Sequence, residues 1–102
     1  MKKKRIFRDY QEKLMEDLQD VELAEAYLNE AFKEKDPRMF LLALKNVVQA
    51  QGGELTDLAK RSNISRENLY RILSPRGNPK FTNFVSLLDS TGFSLNVHAH
   101  KR

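Results

Sequence analysis

Residues 55–73, LTDLAKRSNISRENLYRIL, constrain the fold of this chain more than any other segment. Leu55, Leu58 and Ala59 recur at helical spacing, and after Ser65 so do Leu69, Ile72 and Leu73. Between the two sets Asn63 stands where the chain must turn sharply. The left-handed conformation such a turn needs is easiest for glycine and next easiest for asparagine. Ile64 follows as an apolar plug, in register with Leu69 and Ile72, and Ala59 sits where two helices cross and a larger side chain would force them apart. A small residue, a turn residue and three apolar positions in this register have the spacing of a helix-turn-helix, whose second helix fits a DNA major groove. An ordinary αα-hairpin is the competing reading.

The rest of the chain reads as helix almost throughout. Leu14, Met15 and Leu18 make a short amphipathic stretch over residues 10–18. Asp20 is placed to cap a second helix carrying Leu23, Ala24, Tyr27, Leu28, Ala31 and Phe32, with Glu22 and Glu25 early and Lys33 and Lys35 late, as the helix dipole favours. Asp36-Pro37 opens a third, with Met39, Phe40, Leu42, Ala43, Val47 and Ala50 inward and Gly52-Gly53 at its end. The fourth and fifth are the pair already described, the fifth capped by Ser65 and broken by Pro75, Gly77 and Pro79. A sixth, over residues 81–89, should bury Phe81, Phe84, Val85 and Leu88. After Gly92 the period changes to two: Phe93, Leu95, Val97 and Ala99 alternate with Ser94, Asn96, His98 and His100, which predicts one half-buried strand. A lone strand needs a partner for its backbone hydrogen bonds. The candidates are residues 5–8 of the same chain or the same strand of a second subunit, with Leu95 and Val97 at the dimer contact.

With 102 residues this is material for one domain. At that size folding removes roughly 60–70% of the unfolded surface from water, and a core can hold without staples. The absence of cysteine excludes disulfide frameworks, thiol nucleophiles and thiolate metal sites, and makes a reducing, cytoplasmic setting the expectation. No apolar run approaches the ~20 residues that cross a bilayer. The opening MKKKRIFRDYQEK returns to charge after Ile6 and Phe7, unlike a signal peptide.

The net charge of +4 conceals a division. Residues 1–36 hold eight Lys/Arg and ten Asp/Glu, whereas residues 37–102 hold ten and four. Lys2, Lys3, Lys4 and Arg5 form a basic tip, and residues 9–36 then carry −7. An acidic half and a basic half suggest two different partners.

The basic half decorates the fifth helix. Ser65, Arg66, Glu67, Tyr70 and Arg71 project away from Leu69 and Ile72, and Arg76 and Lys80 flank the Gly77-Asn78-Pro79 turn. Arg66 and Arg71 suit guanine edges or phosphate, Ser65 suits phosphate, Tyr70 a thymine methyl or phosphate, and Glu67 a cytosine amine or the helix cap. Arg76 and Lys80 would position the duplex backbone. Enzyme readings find little support. His98 and His100 lack a third metal ligand, and there is no phosphate-cradling glycine loop, nucleophile elbow or distinctive carboxylate pair. No catalytic residue, metal or cofactor is expected.

The run LAKRSNISRENLYRILS followed by GNPKFTNFVSLLDSTGFSLNV resembles the addiction-module antidote proteins, the HigA-like branch of helix-turn-helix antitoxins. Ser65-Arg66, Leu69-Tyr70, Leu73-Ser74, Gly77-Asn78-Pro79, Leu87-Leu88 and Gly92 carry it, together with Ala26-Tyr27-Leu28-Asn29, Asp36-Pro37 and Ala43-Leu44 upstream. It extends over residues 9–97. Two departures are the longer Gly52-Gly53-Glu54-Leu55-Thr56 entry and Asn63 where glycine is common. The resemblance implies an all-α, five- to six-helix, lambda-repressor-like domain acting as a dimer on a palindromic operator. It also implies a regulator that neutralises a RelE-like ribonuclease toxin and represses their shared operon. In that organisation residues 1–36 form a basic arm and acidic helices, 37–92 the DNA-binding core with Leu58, Ala59, Asn63, Ile64, Leu69 and Ile72 at its centre, and 93–102 the strand and tail. A basic toxin would dock on the acidic region at Asp17, Asp20, Glu22 and Glu25. The alternatives are a phage-type repressor without a toxin, and a helical interaction module that does not bind DNA.

Overall fold

The structure, a computed structural model, describes residues 2–74 and 76–100, with side chains from residue 8 onward. Six helices follow in chain order: α1 (Lys2–Asp17), α2 (Val21–Lys33), α3 (Pro37–Ala50), α4 (Leu55–Ser62), α5 (Arg66–Ile72) and α6 (Phe81–Ser90).

Their boundaries follow from local chemistry. The Asp20 carboxylate accepts from the Glu22 and Leu23 N–H groups at 2.8 and 3.4 Å and starts α2. The Asp36 carboxylate accepts from the Arg38 N–H at 3.0 Å, with Pro37 pre-set in the first turn of α3. Asn63 takes φ 58°, ψ 38° and closes α4. Its N–H reaches the Lys60 carbonyl at 3.2 Å, and the Ile64 N–H reaches back to Ala59 at 3.0 Å. These are the paired bonds of a Schellman turn, with Ile64 and Ala59 as the apolar pair that accompanies it.

The longest buried run lies on α3, where Phe40, Leu41, Ala43, Leu44, Val47, Val48 and Ala50 are all withdrawn from water. α1 and α2 pack on this helix through Leu18, Ala24 and Leu28. A Tyr27–Asn46 hydrogen bond of 3.0 Å ties α2 to α3, and Gln51 donates to the Leu18 carbonyl at 3.3 Å. α4 packs against α5 and α6, with Leu58, Ala59, Ile64, Leu69, Ile72, Leu87 and Leu88 buried in the same core. Phe40 joins the two groups, meeting Phe32 of α2 edge-on at 5.5 Å and Phe84 of α6 at 5.1 Å. Ser62, a buried polar residue, donates to the Leu58 carbonyl at 2.7 Å.

Several expectations are corrected. The helix expected over residues 10–18 begins at Lys2, so the basic tip continues α1. Lysine and arginine are good helix formers, and no breaker precedes residue 18. The predicted strand is absent among the described residues, and residues 93–100 have no regular structure. Its intrachain partner, residues 5–8, is helical, which leaves no strand edge among the described residues to pair with. Leu95 is exposed and Val97 is 99% exposed, whereas Phe93 packs on the core. Phe81 was assigned inward but is 73% exposed, and Leu87 is buried instead. Leu23, Phe32, Met39 and Leu42 also face outward in substantial part, with Leu41, Leu44 and Val48 in the interior. Pro75 lies outside the described residues.

Gly77 ends the connection after α5 in a space that admits no side chain. It is buried, its N–H donates to the Ser74 carbonyl at 2.9 Å, and a Cβ would overlap the Ile72 carbonyl oxygen. Gly77→Ala should therefore cost about 3 kcal/mol, at the upper end for a single overpacked site. Asn63→Gly should stay within about 1 kcal/mol of the parent, because relief at positive φ offsets added chain entropy. Urea unfolding midpoints measure both.

Candidate nucleic-acid interface

α5 is seven residues long and is held from within by two of them, Leu69 and Ile72. At roughly 100° per residue these two define the inner side, which puts Glu67, Tyr70 and Arg71 on the opposite side and Arg66 on its flank. Ser65, Arg66, Glu67, Tyr70 and Arg71 are all exposed, as are Arg76 and Lys80 beyond the helix. The seven positions singled out from the sequence are thus all solvent-exposed, five on α5 and its cap and two on the connection to α6.

Each has a definable role in the local structure. The Ser65 hydroxyl accepts from the Asn68 N–H at 3.1 Å and caps α5. Glu67 lies in the first turn and Arg71 in the last, the order the helix dipole favours. The Arg66 guanidinium lies over the Tyr70 ring, 5.7 Å from its centroid. Among the described residues, Arg66, Arg71, Arg76 and Lys80 form no ion pair. Ser74 closes the end of α5, its hydroxyl donating to the Arg71 carbonyl at 2.6 Å.

A groove of about 640 Å³ runs between α4 and α5, lined by Thr56, Ala59, Lys60, Asn63, Ile64, Ser65 and Arg66. Thr56 and Lys60 extend the candidate surface onto α4 and were missed in the sequence. The available signal was the basic pair Lys60-Arg61 in the last turn of α4, one turn from the α5 cap.

The acidic residues gather elsewhere, near the α1–α2 corner. Asp17 is half-buried and lies 3.8 Å from the Lys13 ammonium, and the Asp20 carboxylate is committed to capping α2. Glu22 and Glu25 are exposed. Val21 and Leu23 are exposed in the same turn of α2, so apolar surface adjoins these acids. A second feature, an apolar cleft of about 420 Å³, lies between the start of α3 and the start of α6, with Phe32, Pro37, Phe40, Pro79, Phe81 and Phe84 in its wall. Among the described residues no group of three or more His, Asp or Glu side chains is arranged to hold a metal ion, and no helix is long and apolar enough to cross a membrane.

Comparison with known proteins adds the following. Residues 10–99 match the family described as probable addiction module antidote protein. The chain is 30% identical over 93 residues to an uncharacterized protein of Haemophilus influenzae, an alignment covering 82% of this chain and 94% of that one. No solved structure matches.

Asp36 supplies a pH-dependent test of the frame behind this surface. Its carboxylate accepts the Arg38 backbone N–H and the Arg38 guanidinium, and these bonds hold its pKa below the usual carboxylate value of 3.8. A lowered folded-state pKa means stability that is full above the unfolded-state value and is lost as pH falls through the folded one. Asp36→Asn keeps a capping side chain but removes the titration. Its stability should decline less steeply than the parent's below about pH 4, read from thermal midpoints across an acid series.

Proposed function

The chain belongs to the family of probable addiction module antidote proteins, and from that premise we propose that it is an antitoxin that binds a RelE-like ribonuclease toxin and represses its own operon through α4 and α5. The observation that carries the DNA-binding half is the outer side of α5. Tyr70 and Arg71 stand exposed opposite the buried Leu69 and Ile72, and Arg66 stands exposed on the flank, with no ion pair to the arginines among the described residues. A helix whose inner side is apolar and whose outer side carries free guanidinium groups is suited to a major groove. Arg76 and Lys80 supply the sequence-independent attraction to phosphate. A homodimer would present two copies of α5 to the halves of a palindromic operator.

The toxin-binding half rests on the antidote family and on the acidic region. Glu22 and Glu25, beside Val21 and Leu23, offer a basic protein an apolar contact ringed by negative charge. Asp17 and Asp20 contribute charge at the same corner while serving α1 and α2 structurally.

Two experiments test these assignments. In gel shifts on DNA upstream of the gene, Arg71→Ala should cost ~1–3 kcal/mol and relax preference at one base pair, whereas Lys80→Ala should weaken all duplexes and lower the salt slope by about 1. Co-expression with the adjacent gene product should rescue growth and permit co-purification. The triple variant Asp17→Asn, Glu22→Gln, Glu25→Gln should slow association by about tenfold at low salt. Unchanged association would remove the electrostatic account of toxin binding. Loss of every duplex interaction, with toxin capture retained, would leave an interaction module without a DNA role.

A further inference from the structure

Within the proposed DNA-binding role, on which this inference rests, the two arginines of α5 are placed differently. Arg71 belongs to the outer side of the helix by its position alone. Arg66, the first residue of α5, lies on the flank, at roughly 90° from the centre of that side. A free arginine there would sweep a wide arc and meet whatever phosphate came near. It is not free to do so. Tyr70 follows one turn later, offset by only roughly 40° toward the outer side, and the Arg66 guanidinium lies over its ring at 5.7 Å. The ring draws the cation off the flank and onto the surface that would face the duplex.

Stacking also leaves the guanidinium edge available. An aromatic face attracts the cation through its quadrupole and uses none of its five N–H donors. No carboxylate competes for them: Arg66 has no ion pair among the described residues, and Glu67 points about 100° away around the helix. The result is a planar donor fork restrained in direction and unoccupied at its edge. Two acceptors side by side suit that fork, and guanine O6 and N7 present such a pair in the major groove. Phosphate oxygens accept the same fork but recur at every step of the duplex, so a restrained arginine at the groove-facing side gains sequence preference only from the base edge.

We infer that Arg66 reads a guanine edge and that Tyr70 is its positioning residue, stacking the guanidinium in the orientation that contact requires. Tyr70 acts through Arg66, so its removal affects sequence preference more than attraction to DNA in general.

The test is selection from a random duplex pool by the full chain, with affinity then measured for the enriched site and for an unrelated duplex. The parent should enrich a site containing a guanine that Arg66→Lys no longer selects, since lysine keeps the charge and loses the fork. Tyr70→Leu should weaken the enriched site about fivefold while leaving the unrelated duplex unchanged within about 1.5-fold. Tyr70→Phe, which keeps the ring face, should behave as the parent. In the free protein, Tyr70→Leu should also abolish the upfield ring-current shift of the Arg66 δ protons while the methyl shifts of buried Leu69 and Ile72 stay in place, which separates loss of the ring from loss of the helix. If the parent enriches a site and both Arg66→Lys and Tyr70→Leu enrich the same site with undiminished affinity, the inference is overturned and the proposed DNA-binding role stands. If the parent enriches no sequence, the sequence-specific role falls and the guanine contact with it.

Discussion

The reversal of the chain at Asn63 is the constraint on which the candidate surface depends. α4 and α5 are eight and seven residues long, too short to persist alone in water. They exist because their apolar sides share one core, and they can do so only if the backbone turns within three residues. A left-handed residue at φ 58° makes that turn, and the Ile64-to-Ala59 hydrogen bond of 3.0 Å locks it while placing Ile64 in the interior. The small side chain of Ala59 leaves room for the crossing. With α5 anchored by Leu69 and Ile72 alone, every other position on it is free to be chosen for contact with something outside the molecule.

Legibility in the sequence tracked how local each determinant is. The caps at Asp20, Asp36 and Ser65 and the left-handed Asn63 depend on neighbours two or three residues away, and the structure forms each where the spacing predicts. The inner sides of α4 and α5 were equally legible, because three apolar residues on α4 and two on α5 admit one orientation of each short helix. α3 was not. Met39, Phe40, Leu41, Leu42, Ala43 and Leu44 are six apolar residues in succession, and periodicity cannot rank them. Tertiary packing selects Phe40, Leu41, Ala43 and Leu44 and leaves Met39 and Leu42 at the surface. Phe81 fails for a related reason: as the first residue of α6 it has no preceding turn to cover it, and it forms part of an open cleft.

The alternating tail shows the limit of pattern reading most clearly. Period two in residues 93–99 describes what those side chains would do in a sheet, but a ladder needs a second edge, and α1 removes the one candidate within the chain. Local pattern states a preference, and the fold decides whether it can be met. The Lys60 contribution to the groove was missed for the converse reason. Its sequence position announced only a favourable helix end, and its proximity to Ser65 and Arg66 arises from the turn.

Separation of charge completes the logic of the fold. The molecule extends 42 × 41 × 26 Å, several times the screening length of about 8 Å at physiological ionic strength. An approaching macromolecule therefore senses the patch it meets and not the net charge of +4. α2 with its exposed glutamates packs on α3, whereas α5 with its exposed arginines packs on α4. Placed on one surface, these groups would pair with one another and neutralise both fields. The buried stretch from Phe40 to Ala50 thus does more than supply hydrophobic free energy. By taking α1 and α2 for itself while α4 gathers α5 and α6, it seats the exposed glutamates of α2 and the exposed arginines of α5 on different helices of one core, within a chain of 102 residues.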